Sequence, residues 1–238
     1  MNPAYRPLFQ PFTFHNGLQV NKRIVMAPMT NWSSNPEGFV TDEEILYYER
    51  RSGQVGKVVT ACAYVTAIGK GFRGEIAADR DATIPSLRRL ASAIQEKGSK
   101  AVLQIFHGGS ECPVDLVPIG DDVSAGNVPS VQNPSVMPRP LSDEEFSRLV
   151  EALCAKELDY IHVRTAEDAL KAYETGIPLI ALGRELLVEP DWVRKIQEGN
   201  DSDIEITLKT DAQERLVIPD PMWKTIMNSP PGWLPIES

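Results

Sequence analysis

Positive charge is in short supply in this chain. Its 238 residues carry 24 Lys and Arg against 33 Asp and Glu, a formal net charge of −9. An acidic surface repels nucleic acid and anionic membranes, which argues against both as partners; a local basic pocket for a small anion remains compatible with it. Cysteine is scarce too. Cys62, Cys112 and Cys154 are odd in number and far apart, so there is no disulfide framework, and a reducing compartment fits. The three histidines, His15, His107 and His162, have no metal-ligand spacing. No apolar run approaches a membrane span. The opening stretch "MNPAYRPLFQPF" lacks the basic segment and apolar run of a secretory signal. A cytoplasmic protein is expected.

What is present is ordinary globular material, 42% hydrophobic and 24% charged, enough for one sizeable core. "FTFHNGLQV" alternates apolar and polar residues about Asn16-Gly17, the preferred two-residue turn of a hairpin, here over 12–20. "RIVMA" (23–27) reads as a buried strand stopped by Pro28. Thr41 opens a helix with a capping box: its hydroxyl accepts from the Glu44 amide, and the Glu44 carboxylate reaches back. "KVVTACAYV" is a second strand, "SLRRLASAIQEKG" a helix ending on glycine, and "KAVLQIF" a third strand. Residues 108–140 read as a long loop. A helix follows, with Ser142 as cap and Glu145 three residues on. "DYIHV" and "PLIALG" are further strands, separated by a helix over 166–175 that follows its strand after only Arg164 and Thr165. "EPDWVRKIQEG" is the last amphipathic helix. Residues 201–238, rich in Pro and polar groups, are expected to wrap the surface as a tail behind a domain over 1–200. Apolar strands alternating with helices give an α/β fold with a parallel sheet.

Taken singly, the residues say little about chemistry. A Pro-Met after a strand is most often a plain loop, Gln104 is a polar group at a strand end, and Gly-Arg pairs are common. The histidines read as structural, and Cys112 has no basic neighbour or helix N-terminus to activate it.

Three stretches taken together say more. "RIVMAPMTNW", "AVLQIFHGG" and "PLIALGRELLVEPDWV" resemble, in order, the Old Yellow Enzyme family of FMN-dependent NAD(P)H oxidoreductases, whose fold is a (β/α)8 barrel. The resemblance covers nearly all of residues 5–200. It implies that Ala27, Pro28, Met29 and Thr30 line the flavin ring, with Thr30 tuning its potential through a hydrogen bond to its carbonyl side. It puts Trp32 near the substrate face and Ala61 where a small residue lets the ring approach the backbone. Gln104 would bond the pyrimidine edge, an amide being donor and acceptor at once. Gly183 and Arg184 would form the phosphate site.

The same resemblance implies an incomplete barrel. Counterparts of strands one, two, three, six and eight are present; those of four, five and seven are missing, on the order of a hundred residues of a barrel that normally exceeds roughly 250. With strand four go the pair of side chains that clamps the substrate carbonyl and the tyrosine that donates a proton. A basic residue facing the flavin goes with strand five, and part of the phosphate site with strand seven. Neither Tyr64 nor Tyr160 matches the lost donor, so no catalytic residue is assigned. Two outcomes stay open: an FMN-dependent NAD(P)H oxidoreductase that reduces activated alkenes by ping-pong hydride transfer, or a degenerate member that has lost catalysis. A non-enzymatic remnant whose copies cover each other's open sheet edges is a third reading.

Overall fold

The computed structural model describes residues 1–14, 17–117, 123–124, 137–140, 142, 144, 160–162, 170, 179–230 and 234–237. The helices expected over 141–157 and 166–175, most of the 108–140 loop and the Asn16 turn position lie outside the described residues.

The N-terminal 3-10 helix Pro3–Phe9 leads into a hairpin, β1 (Phe12–Thr13) against β2 (Gln19–Val20), with Phe12 opposite Val20. Gly17 takes φ +82° there, a value that suits glycine. Five strands then build a parallel sheet: β3 (Ile24–Met26), β4 (Lys57–Tyr64), β6 (Lys100–Phe106), β9 (Tyr160–His162) and β10 (Leu179–Leu182). The short β5 (Ile76–Ala77) pairs with the end of β4. The spatial order is β6-β4-β3-β10-β9. Among the described residues β6 pairs only with β4 and β9 only with β10, so the sheet ends on both sides. The open, parallel architecture follows the expectation of a barrel short of strands. The sixth-strand counterpart, β9, takes the place directly beside the eighth, β10, with Ile161 registered on Ile180. Two small pairs complete the strands: β7 (Val123–Ser124) with β8 (Arg139–Pro140), and β11 (Leu208–Lys209) with β12 (Ile236–Glu237).

Alternation along the strands sorts the core into two layers. Val25, Val59 and Leu179 join Val20, Phe12 and Phe14 on one face, so the hairpin closes the base of that face. Ile24, Met26, Val58, Ile180 and Leu182 face the other way, into the large helix-side core. That core receives α1 (Asp42–Arg51), α2 (Ile84–Glu96), α3 (Arg184–Val188) and α4 (Trp192–Glu198).

Residues 201–238 depart from the surface tail expected of them. They form α5 (Gln213–Leu216) and α6 (Asp220–Met227), and Leu208, Leu216, Ile218, Met222 and Ile226 are buried in the same core. The apolar residues are spaced one or two per turn among polar ones, which hides them in composition. Arg51 fastens this segment. Fully buried, it donates through Nε to the Leu186 carbonyl (3.1 Å), through Nη1 to Tyr47 (2.9 Å) and through Nη2 to Leu216 (2.9 Å). Burial lowers its pKa to about 10. Arg50 forks onto Asp191 at 3.0 and 2.7 Å, and Gln54 joins the same carboxylate at 2.8 Å, tying α1 to the start of α4.

Candidate cofactor site at the carboxyl edge of the sheet

In a parallel sheet all strands end on one edge, and ligands gather there. The register here aligns those ends. Leu182 lies beside Met26, and Met26 beside Val58; Cys62 lies beside Gln104. Ala27–Thr30 after β3, Gln104 in β6 and Gly183–Arg184 after β10 therefore come to one end of the sheet. The Ala27 amide donates to the Leu182 carbonyl at 2.8 Å, extending the ladder into the site. Pro28, Met29 and Thr30 are half-buried. Among the described residues the Gln104 carboxamide has no hydrogen-bond partner, although its backbone amide bonds Thr60 Oγ1. A half-buried amide with no partner is free to meet a ligand.

Ala61 differs from its expected place. The β4–β6 register shifts between Val59 and Cys62, a bulge at Thr60–Ala61. A bulge resets the alternation of side chains. Ala61 therefore packs into the helix-side core, and its amide donates to Tyr48 Oη of α1 at 2.6 Å. Cys62 takes the position registered on Gln104. The Thr30 hydroxyl hydrogen-bonds the Cys62 sulfur, while burial, with the charge of Glu75 adding, pushes that thiol up to about 11. Cys62 is thus a neutral thiol in the same layer as Thr30 and Gln104. Alternation read from the sequence alone could not place it, because the bulge leaves no residue signature.

The loop after β3 is anchored by a buried polar network. Asn31 Nδ2 donates to Glu44 Oε1 at 2.9 Å and Ser34 Oγ to Glu44 Oε2 at 2.7 Å. Half of the expected capping box is present: the Thr41 hydroxyl accepts from the Glu44 amide at 3.2 Å. The Glu44 carboxylate does not return to Thr41. It turns inward to hold the loop, and burial raises its pKa against the two hydrogen bonds. Trp32 sits at φ +53° and stacks edge-on against Phe72, centroids 6.2 Å apart. Gly74, at φ +74°, lies against the Trp32 backbone so closely that a Cβ would not fit.

Glu75, just beyond, is 1% exposed. Its Oε2 accepts from the Gly71 amide at 2.7 Å, and its Oε1 has no partner. Burial pushes its pKa up to about 7, opposed by the Gly71 and Phe72 amides and by Lys70. In the sequence Glu75 is one acid among several in "GFRGEIAADRD", and no local signal singles it out. His107 Nδ1 accepts from the Gly109 amide at 3.1 Å, and its ring is packed against Gly69. Cys112 is a buried free thiol. No group of three or more potential metal ligands occurs among the described residues, and none of their helices is long and apolar enough to cross a membrane.

At the opposite end of the edge, Gly183 caps α3. Its amide donates to its own helix's Glu185 carboxylate at 3.1 Å. Arg184 is the cation of this corner and is half-buried.

Comparison with known proteins agrees with this geometry. The sequence model of the NADH:flavin oxidoreductase / NADH oxidase family matches residues 7–161. The chain is 30% identical to a protein of Bacillus subtilis (strain 168) named as a probable NADH-dependent flavin oxidoreductase, YqiG; the alignment covers 100% of both chains. It runs over 374 positions, so with 238 residues at least 136 of those positions are gaps in this chain. It is 38% identical to the NADH:fumarate oxidoreductase of Klebsiella pneumoniae (strain 342) over 63% of this chain, but only 16% of that protein. In fold it resembles morphinone reductase in complex with tetrahydroNAD (TM-score 0.70, 15% identity, covering 81% of this chain and 91% of the other). It also resembles the old yellow enzyme from Trypanosoma cruzi (TM-score 0.66, 15% identity, covering 82% and 93%). With five parallel strands in a sheet that resembles part of those barrels and long gaps against a relative of greater length, the chain is an incomplete barrel and belongs to the NADH:flavin oxidoreductase / NADH oxidase family.

Proposed function

We propose that the chain is an FMN-dependent NAD(P)H oxidoreductase that binds the flavin ring along the carboxyl edge of the sheet. The observation that carries this reading is the convergence of Pro28–Thr30, Gln104 and Gly183–Arg184 on one edge, with the Gln104 carboxamide unpartnered among the described residues. That free amide suits the pyrimidine end of the ring, and Thr30 sits nearby, bonded to Cys62. Ala61 contributes by shaping the bulge. At the phosphate end Arg184 supplies the cation, and the phosphate takes the Gly183 amide in place of the Glu185 carboxylate. Bound FMN would supply hydride acceptance from NAD(P)H and hydride transfer to an acceptor such as an activated alkene. The protein's own share is to orient the ring, keep water from its face and bond its carbonyl edge, where negative charge gathers on reduction.

The gaps of at least 136 positions against the Bacillus relative favour a second reading in which flavin binding survives and acceptor reduction does not. Both are tested by purifying the chain with added FMN, desalting it and recording the visible spectrum before and after NADH. A retained flavin band that NADH bleaches supports the oxidoreductase; turnover of cyclohexenone then separates the two readings. A colourless protein after reconstitution sinks both.

A further inference from the structure

One acid in this site holds its own loop with one carboxyl oxygen and leaves the other without a partner, and the role inferred for it rests on the flavin reading. Glu75 is buried with one carboxyl oxygen bonded and the other empty. A buried ionised carboxyl with unfilled acceptors is costly. The loop that carries it cannot readily turn the empty oxygen out to water. A side chain at Gly71 would meet the Phe106 ring at 2.7 Å, and Gly74 is pressed on the Trp32 backbone. Phe106 ends β6 and Trp32 follows β3, so the loop is wedged between the two segments that flank Cys62. Glu75 directly precedes Ile76, which is registered on Ala63, so it lies level with Cys62, itself registered on Gln104; the Thr30 side chain hydrogen-bonds Cys62. Three side chains on three segments thus form one layer beneath the carboxyl edge.

We propose that Glu75 is a positioning residue of the flavin site, a buried carboxyl that acts through Cys62 and Thr30 and makes the site hold flavin more tightly when it carries a proton. The physical reason is twofold. A ring seated over the layer removes remaining water, which disfavours the charged form of any acid beneath it. The ring's carbonyl edge is electron-rich, more so when reduced, and an ionised Glu75 repels it. Linkage makes the effect mutual: if the proton favours flavin, flavin favours the proton.

Four other groups face or adjoin Glu75. Cys62 is raised to about 11 and Tyr64 is raised as well, both mainly by burial. Lys70 is held on the Pro36 carbonyl at 2.9 Å and over the Tyr64 ring at 5.2 Å. His107, in the adjoining segment, is lowered by burial from 6.5. Glu75, raised to about 7, changes charge between pH 6 and pH 8. Its folded pKa lies above the ordinary carboxylate value. Its stabilising share is therefore present at acid pH and lost as pH rises through about 7.

The test titrates the full chain and Glu75→Gln with FMN at pH 6 and pH 8, following flavin fluorescence, and melts both apoproteins at the same two pH values. The ratio of Kd at pH 8 to Kd at pH 6 is expected to be about fivefold larger in the wild type, for a one-unit pKa shift on binding. The wild-type apoprotein should also lose more Tm between the two pH values than Glu75→Gln. Cys62→Ala keeps the acid but removes the link, and should shrink the Kd ratio towards that of Glu75→Gln; it serves as the test if Glu75→Gln does not fold. Equal ratios in wild type and Glu75→Gln, or an unchanged ratio in Cys62→Ala, overturn the inference while leaving the flavin reading intact. Failure of the wild type to bind FMN at either pH overturns both.

Discussion

β4 and β6 are paired parallel strands of similar length and similar apolar content, yet they live in different surroundings. Every residue of β4 after Lys57 is buried. Every residue of β6 after Lys100 is only half-buried. β4 has β3 and β5 as well as β6 for partners. Among the described residues β6 has β4 alone, and between it and α2 runs an open apolar groove of about 390 Å³, lined by Thr60, Leu87, Leu90, Ile94, Ala101 and Leu103. The contrast shows that burial is conferred by neighbours. With no strand paired beyond it among the described residues, β6 still forms its ladder on β4 but is less sheltered along its length.

The largest expected effect lies on the sheltered side. Arg51→Ala strips donors from the buried carbonyls of Tyr47, Leu186 and Leu216, and should cost about 3–5 kcal/mol in urea unfolding. On the open side, Gln104→Ala removes a side chain with no partner among the described residues and should stay within about 0.5 kcal/mol while weakening FMN retention. A loss from Gln104→Ala as large as that from Arg51→Ala would mean that the β6 edge is covered in solution. A finer probe truncates matched valines: Val58→Ala in β4 should cost about 2 kcal/mol, and Val102→Ala in β6 about half that. Equal losses in chemical denaturation would erase the contrast. A pH-dependent effect concerns Asp191, whose carboxyl the Arg50 guanidinium, with Arg194 and Gln54, holds well below the usual carboxylate range against some desolvation. Its contribution is present above the ordinary carboxylate pKa and lost as pH falls through the depressed value. Asp191→Asn should therefore lower Tm by an amount worth at most about 1 kcal/mol at neutral pH. Melting curves of the two proteins should converge in acid.

Much of the fold was legible in the sequence because apolar runs of strand length and helical spacing are local signals. The hairpin, β3, β4, α1, α2, β6 and α4 all lie where pattern put them. The motif residues Ala27–Thr30, Gln104 and Gly183–Arg184 were legible as strand ends, and the register gathers them at one edge. Legibility failed where tertiary context decides. Ala61 turned away because a bulge, with no residue signature of its own, reset the strand. Glu44 left its helix cap because Asn31 and Ser34 offered it better bonds inside. Glu75 was invisible because its importance lies in an empty oxygen, and nothing local separates it from a surface acid. The helices of 213–227 were masked by flanking prolines and charges, although their apolar faces reach the core.

The middle of the sheet has a consequence for how the molecule is made. β3 lies at the centre of the strand order, yet its partner on one side is β10: Ile24 is registered on Ile180, 156 positions later in the chain. Closing so long a loop is entropically costly and slow compared with pairing β3 to β4. On the ribosome the first half of the chain can assemble β3, β4 and β6 with their helices, but that assembly has β3 as a raw border until residue 182 has left the exit tunnel. The last strand of this sheet to emerge is the one that turns a nascent border into its middle, so the growing chain is most exposed to self-association shortly before β10 emerges.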